Sequence, residues 1–541
     1  MFRLDWLNAQ ISVNQFVIIL WIILTAININ KAFHIDDTFH LLAAEWVAEK
    51  PTDPMAAKIN WSDQPEAIFL GSQPPLYFYL IAFFIKIFGT GEIGLHLLTA
   101  IFLFLVLYFY AKILREINVK QPKVLLTLFA FCPALIVNQN LMIDIPILSM
   151  ALGCTFYLII AQQSGKLSNY LSATLFLTFG LMMKFTLLPF LVVIGLTAIL
   201  SGHYKALISL IIPLAIMIGW SSWSELQYGV SHLGIKTNFG FSTNKLLGFL
   251  GTTGAISTFV VIPFYTCFKS QFTKWLIVDV LAILIICLPP VYFDIINQQK
   301  FSAFLNYIFI ASGSLVLLLF MWQTAKLKFS YQLNFIRHHM LIITLIIFGL
   351  AAFIVLFAPI NATRHSLLLI PFFIILFHKE IDASVGPILN ITLAVTIFLG
   401  VALGVSDWLY ADFYRNAAEE ISVKKQPDQK VYAAGHWGWQ WYAYQNGWEI
   451  YATNGDHKIR KDDIILIPKN ASKQHIDKAL KLDTIDFYTE KPNLLTFFSG
   501  KSYASMYTTF GDKPAWNLST QPIDTIFICK VNQPITADQE D

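Results

Sequence analysis

The chain has 541 residues, of which 56% are hydrophobic and only 13% charged, and its mean hydropathy is +0.59. A soluble protein of this size carries about a quarter charged residues, so a soluble globular fold is excluded, and a net charge of +3 is too small to suggest nucleic acid as a partner. Cys132, Cys154, Cys267 and Cys287 fall in apolar stretches and Cys529 near the C-terminus, with no CxxC pair, so neither a disulfide framework nor a cysteine metal site is implied.

The first predicted span covers 13–30. Only Arg3 supplies a basic residue ahead of the apolar run Phe16–Ala26, and Thr25-Ala26-Ile27-Asn28 lacks a small-x-small cleavage pattern. The segment therefore reads as a retained helix rather than a signal peptide. A polar interruption follows at 31–91. It opens on His34-Ile35-Asp36-Asp37-Thr38-Phe39-His40. Adjacent carboxylates at a membrane surface are costly unless they face water or a partner. Such a carboxylate can take a proton from an acceptor hydroxyl or ligate a metal; Asp-Asp-Thr ahead of a helix is also ordinary capping chemistry. Leu41–Lys50 is amphipathic and reads as a helix lying on the membrane. Ser72-Gln73-Pro74-Pro75-Leu76-Tyr77 starts another helix, with proline in its first turn.

Further spans are expected at 93–114, 123–138, 143–162, 170–182, 185–200, 206–222, 246–267, 275–291, 302–322, 340–360, 366–378 and 385–405, about thirteen helices in all. The stretch 170–200 reads either as one long helix or as two that turn at Lys184. With the N-terminus inside, thirteen basic residues fall in cytoplasmic loops and five (Lys184, Lys236, Lys245, Lys300 and Arg364) in short outside ones. That bias makes the N-terminus cytoplasmic. An odd helix count then puts the 31–91 loop and residues 406–541 on the same, outer face. In the tail, 430–435, 448–453, 463–469 and 525–531 read as strands and Ala471–Lys481 as helical, a small α/β domain.

Four more groups stand out. Asn138-Gln139-Asn140-Leu141-Met142-Ile143-Asp144-Ile145-Pro146 makes a short outside turn, with Asp144 either a helix cap or a site group. Lys184, in an apolar stretch, is either a site group or a snorkelling side chain. Thr363-Arg364-His365 brings a guanidinium that can grip phosphate in two-pronged fashion, and Lys86 could serve similarly. Gly435-His436-Trp437-Gly438-Trp439-Gln440-Trp441-Tyr442 could stack on a sugar, pack on the membrane face or fill a core. No GxGxxG, Walker loop, HExxH or GxSxG occurs.

In order and spacing these motifs resemble the GT-C glycosyltransferases, in particular the bacterial group similar to protein O-mannosyltransferases and aminoarabinose transferases (glycosyltransferase family 39-like). The resemblance rests on Asp36-Asp37 after helix one, Pro74-Pro75-Leu76 and Phe88-Gly89, Met142-Ile143-Asp144, Gly180 to Lys184, and Arg364. It covers the first ~200 residues well, the later helices loosely and the tail weakly. It implies a polytopic α-helical membrane domain at 1–405, a soluble extracytoplasmic α/β domain at 406–541, and a place in the cell membrane. It also implies inverting transfer of a sugar from a polyprenyl-phosphate donor to a protein or glycolipid acceptor. By the same resemblance Asp36 is the base, and Lys86, Lys184, Arg364 and His365 hold the lipid phosphate. His40, Gln73, Asp144 and Trp437 then line the site or meet the acceptor. Any divalent metal would fall to Asp37 or Asp144, and no other cofactor is implied. The group commonly has Asp-Glu where this chain has Asp-Asp, which leaves the role of Asp37 open. The rival readings are a multi-pass lipid or glycan transporter, which more often shows internal repeats with broken helices, and a membrane scaffold whose tail recognises cell-wall glycan.

Overall fold

The computed structural model describes residues 11–71, 73–234, 239–268, 297–330, 339–384, 386–423, 429–453, 455, 459–471, 474–498, 506–507 and 513–534. The expected span 275–291 lies outside these residues, as do Cys287, Ser72 and the loop bases Arg3, Lys236, Lys269, Lys274 and Arg337. Among the described residues six helices are long and apolar enough to cross a membrane, or seven if one bent pair counts as a single span. Five shorter apolar helices accompany them.

Helix Val13–Asn28 starts on a capping box, in which Ser12 accepts the Gln15 N–H and the Gln15 side chain accepts the Ser12 N–H. Proline then punctuates the chain. Pro133 splits the expected 123–138 span into Pro122–Ala130 and Pro133–Val137, and Pro189 opens Pro189–Leu200 after a break at Lys184. The stretch 170–200 is thus two helices. The expected 246–267 span is also two, Thr243–Ile256 and Val261–Phe268, with a bend of 77° between them. Helices Thr243–Ile256 and Gln298–Ser330 cross in close contact. A Cβ on Gly254 would lie 1.9 Å from the Phe309 carbonyl oxygen, and one on Gly313 would lie 2.0 Å from that of Leu250. Small residues permit this approach of backbones, which suits helices packing in lipid.

The interruption at 31–91 is ordered. It holds helix Asp37–Glu49, the hairpin β1 (Lys58–Asn60) and β2 (Pro65–Ala67), and helix Leu76–Phe88. The last membrane helix runs Pro387–Val423, well beyond the expected end at 405. It continues because Ala411, Phe413, Tyr414, Ala417 and Ala418 are buried along its second half.

The tail forms a five-stranded sheet of β3 (Val431–Ala433), β4 (Glu449–Ile450), β5 (Ile464–Pro468), β6 (Lys481–Thr489) and β7 (Thr525–Gln533), in the order β4-β3-β5-β7-β6. β3 pairs parallel with β4 and β5, while β7 pairs antiparallel with β5 and β6. The expectation of a helix over Ala471–Lys481 is corrected. Its backbone bonds elsewhere: Asp477 N–H donates to the Tyr451 hydroxyl at 3.0 Å, and Ala479 N–H donates to the Asp477 carboxylate at 2.9 Å. Tertiary partners override local propensity there.

The tail and the early loop pack on each other and so share one face. Asn60 Nδ2 donates to the Tyr451 carbonyl at 2.7 Å, and Thr453 N–H to that of Asp63 at 2.7 Å. Helix Trp437–Gln445 lies on the acidic loop. Phe33 N–H donates to the Tyr442 hydroxyl at 2.8 Å, and Thr38 Oγ1 to the Trp437 carbonyl at 2.6 Å. The glycines of the aromatic motif explain this seam. Gly435 takes φ +89°, and Gly438 leaves room for the Phe33 carbonyl, which would be 2.2 Å from a Cβ. Trp439 and Trp441 are core side chains, 0% and 2% exposed, which removes them from any sugar-stacking role.

Candidate active site

The acidic pair sits on a tight turn before helix Asp37–Glu49. Ile35 has φ +50°, a conformation that is an outlier for a β-branched residue. The turn is held by Asp37 Oδ2, which accepts the His34 N–H at 2.8 Å, and by Asp37 N–H, which donates to the His34 carbonyl at 3.1 Å. The two carboxylates then diverge. Asp37 is fully buried, its Oδ1 has no hydrogen-bond partner, and burial pushes its carboxyl well above the usual range. Asp36 caps nothing with its side chain. Its carboxylate, 28% exposed, receives Arg364 Nη1 at 2.6 Å.

Arg364 is the second residue of the short helix Thr363–Leu367. Its Nε lies 3.9 Å from Asp144 Oδ2. Asp144 is the first residue of helix Asp144–Ser164, and its Oδ1 faces Lys184 Nζ at 3.4 Å. Lys184 occupies the extended break between helices Leu167–Leu181 and Phe185–Leu187. It points into this cluster rather than snorkelling. Asp36, Arg364, Asp144 and Lys184 thus form one chain of alternating charge, brought together from four distant parts of the sequence.

His40 lies one turn along from Asp36, and its Nδ1 is 2.8 Å from the Asp36 carbonyl. A carbonyl only accepts, so the proton sits on Nδ1 and Nε2 keeps its lone pair. Burial lowers its pKa. His365 has a buried, unpartnered Nδ1. Gln73 is half-buried just before the Pro74-Pro75 turn, where Leu76 N–H donates to the Met182 carbonyl at 3.2 Å. Trp437, with φ +62°, stands at the seam between tail and loop. The structure does not bring Lys86 to this cluster. It is exposed in the last turn of helix Leu76–Phe88, roughly 15 Å along the axis from the end that meets Met182.

Asp144 is not arranged as a metal ligand, because its two oxygens face Arg364 and Lys184. Among the described residues no group of three or more His, Cys, Asp or Glu side chains could hold a metal ion.

The sequence reading missed a second buried network. Lys31 and Asp407, both 0% exposed, form an ion pair. Lys31 also donates to the Val137 carbonyl at 3.1 Å and to the Asn140 side chain. The Tyr507 hydroxyl lies 2.8 Å from both Asp407 oxygens and accepts Asn140 Nδ2 at 2.9 Å. The available signal was Asp407 itself, an ionisable residue within reach of an apolar helix; ending that helix at 405 hid it.

A polytopic helical membrane protein with clustered carboxylates and cations at helix ends, covered by a mixed α/β tail, is the class that fold and site define. Residues 72–223 match the sequence model of the dolichyl-phosphate-mannose-protein mannosyltransferase family. That match covers the second helix-bearing part of the early loop and the membrane helices after it, and is a likeness over that segment. Among solved structures, ArnT from Cupriavidus metallidurans bound to undecaprenyl phosphate is similar at 11% identity with a TM-score of 0.49, over 84% of this chain and 92% of that one. The apo state of the same protein gives 12% and 0.41 over the same shares. No curated protein matches the chain.

Proposed function

We propose that the protein transfers a sugar from a polyprenyl-phosphate donor to a hydroxyl of a protein or glycolipid acceptor, on the extracytoplasmic face of the cell membrane. The observation that carries this reading is the charge chain Asp36–Arg364–Asp144–Lys184, which joins a partly exposed carboxylate to two cations. Asp36 takes the acceptor O–H proton as the acceptor oxygen attacks the anomeric carbon. The bond from that carbon to the phosphate oxygen breaks, and its electron pair leaves with the phosphate. Arg364 and Lys184 neutralise the charge growing there, with His365 beside them. Asp144 holds the two cations at one place. Asp37, buried and pushed toward its neutral form, braces the turn instead of acting as base.

The donor also needs a place for its chain. A cavity of about 310 Å³ opens between helices Leu76–Phe88, Glu92–Glu116, Asp144–Ser164 and Leu167–Leu181, lined only by apolar side chains that include Leu80, Phe102, Phe176 and Met183. Leu175 and Phe179, which also line it, are exposed apolar side chains. Met183 precedes Lys184, so the apolar cavity ends beside a cation, a pairing suited to an isoprenoid phosphate.

The test is Asp36→Asn in cells that depend on this chain for a glycan product. The product disappears while the protein is inserted and folded at wild-type level. Normal transfer by a folded Asp36→Asn protein overturns the assignment of the base.

A further inference from the structure

Two residues of the tail, Met506 and Tyr507, are buried inside the membrane part at 0% and 4% exposure. Their contacts with Thr363, Asn140 and Asp407 fall on segments that lead into the charge chain. The Met506 carbonyl accepts both the N–H and the hydroxyl of Thr363, each at 2.9 Å, and Thr363 immediately precedes Arg364. The Tyr507 hydroxyl accepts Asn140 Nδ2 at 2.9 Å, four residues before Asp144. The same hydroxyl donates to Asp407, which pairs with Lys31, five residues before Asp36. The Tyr507 ring also meets the His34 ring edge-on at 5.5 Å between centroids, and His34 N–H is the bond that holds Asp37.

We propose that Met506–Tyr507 is a positioning element of the active site, which fixes Arg364, Asp144 and Asp36 in mutual register from above. This rests on the reading of the site as a lipid-phosphate site. Three anchors on three separate segments are what a two-residue clamp needs, because a single anchor leaves the other segments free to shift. Buried hydrogen bonds in a low-dielectric surrounding are directional enough to hold such a register. A displacement of about 1 Å at a charge-binding site is enough to be felt strongly in function. The tail is then a working part of the site, and its removal leaves the four charges present but out of place.

The experiment titrates undecaprenyl phosphate into the purified full-length protein in detergent, for wild type, Tyr507→Phe, Arg364→Met and the double variant. Tyr507→Phe keeps the ring against His34 and removes only the hydroxyl. Its dissociation constant is expected to rise about tenfold, and the same change on the Arg364→Met background to cost less than about twofold, since coupled residues are non-additive. A purely structural role lowers folded yield and costs the same on both backgrounds. Thr363→Val, which removes one of the two bonds to Met506, repeats the cycle should Tyr507→Phe fold poorly. Wild-type binding with undiminished binding in both variants, or losses that stay full-sized without Arg364, overturns the proposal alone. Absence of binding by the wild type overturns the functional reading and the proposal together.

Discussion

The Arg364–Asp36 ion pair makes one substitution act in opposite directions on binding and on turnover. In the free protein Arg364 Nη1 is bonded to Asp36 Oδ2 at 2.6 Å. A donor phosphate that engages Arg364 must draw the guanidinium away from that carboxylate. Two unit charges about 4 Å apart attract by about 1 kcal/mol in water and about 4 kcal/mol at the effective dielectric of a protein surface. Arg364 is 10% and Asp36 28% exposed, so solvent screens the pair in part and about 1–2 kcal/mol is the working figure. Asp36→Asn keeps the shape and removes the charge that competes with the phosphate. Undecaprenyl phosphate should therefore bind Asp36→Asn about 5- to 30-fold more tightly than wild type, at about 1.4 kcal/mol per tenfold. Transfer by the same protein should be lost. The assay is equilibrium titration of detergent-solubilised wild type and Asp36→Asn, followed by intrinsic tryptophan fluorescence or thermal shift. Equal or weaker binding by Asp36→Asn refutes the competition, and with it the idea that donor binding frees the base.

Asp524 sets a pH dependence in the tail. It accepts the Tyr414 hydroxyl at 3.0 Å and the N–H groups of Asn470 and Ala471 at 3.3 and 3.0 Å, and burial pushes it up to about 6 from 3.8. The folded state holds this proton more tightly than the unfolded one. Its contribution is therefore full below about pH 4 and lost as pH rises through about 6, a swing on the order of 3 kcal/mol. Asp524→Asn should flatten thermal stability across that window; an unchanged profile refutes the assignment. Gly438→Ala drives a methyl to 2.2 Å from the Phe33 carbonyl oxygen and should cost about 1–3 kcal/mol. Gly219→Ala, in open space on a helix, should leave the unfolding temperature equal or higher; equal effects at the two positions rule out the close seam.

Of the four charges of the site, Lys184 was legible because an ionisable group in an apolar stretch needs a partner, whereas Asp36, Asp144 and Arg364 stood in loops and turns and were picked out by residue type and by the order of motifs. Their mutual pairing was not legible, since it depends on how segments more than 300 residues apart meet, as Asp36 and Arg364 do. Lys86 shows the reverse error. It has the right chemistry in the right loop, but a helix fixes the direction of its side chains, and ten residues of rise put it at the wrong end. Asp407 escaped because hydropathy falls after 405 while the helix does not stop. Its second half is covered by the tail instead of lipid, and a window average cannot distinguish those two kinds of burial. For the same reason the Gly435–Tyr442 motif offered sugar stacking, membrane packing and core as readings. The burial of Trp439 and Trp441 and the approach of the Phe33 carbonyl to Gly438 select the core.

The place of the site follows from a constraint that applies to any chain in lipid. Backbone groups freed at a helix end find no water in hydrocarbon and must be satisfied by protein or by a polar cavity. Asp36 stands just before a helix, Asp144 is the first residue of one, Lys184 occupies a break between two, and Arg364 is the second residue of a short one. Grouping these ends gathers polar backbone and charged side chains into one region, where Asp37 N–H is met by the His34 carbonyl, Lys184 N–H by that of Gly180 and Thr363 N–H by that of Met506. Carboxylates at helix starts are further favoured by the helix dipole, whereas Arg364 near such a start is opposed by it and must be held by Asp36 and Asp144. The guanidinium is thus the member of the chain of charges that two carboxylates hold, Asp36 at 2.6 Å and Asp144 at 3.9 Å. On the proposed function it is also the group that a donor phosphate would engage beside Asp36, so that donor binding would be felt at the proposed base through Arg364.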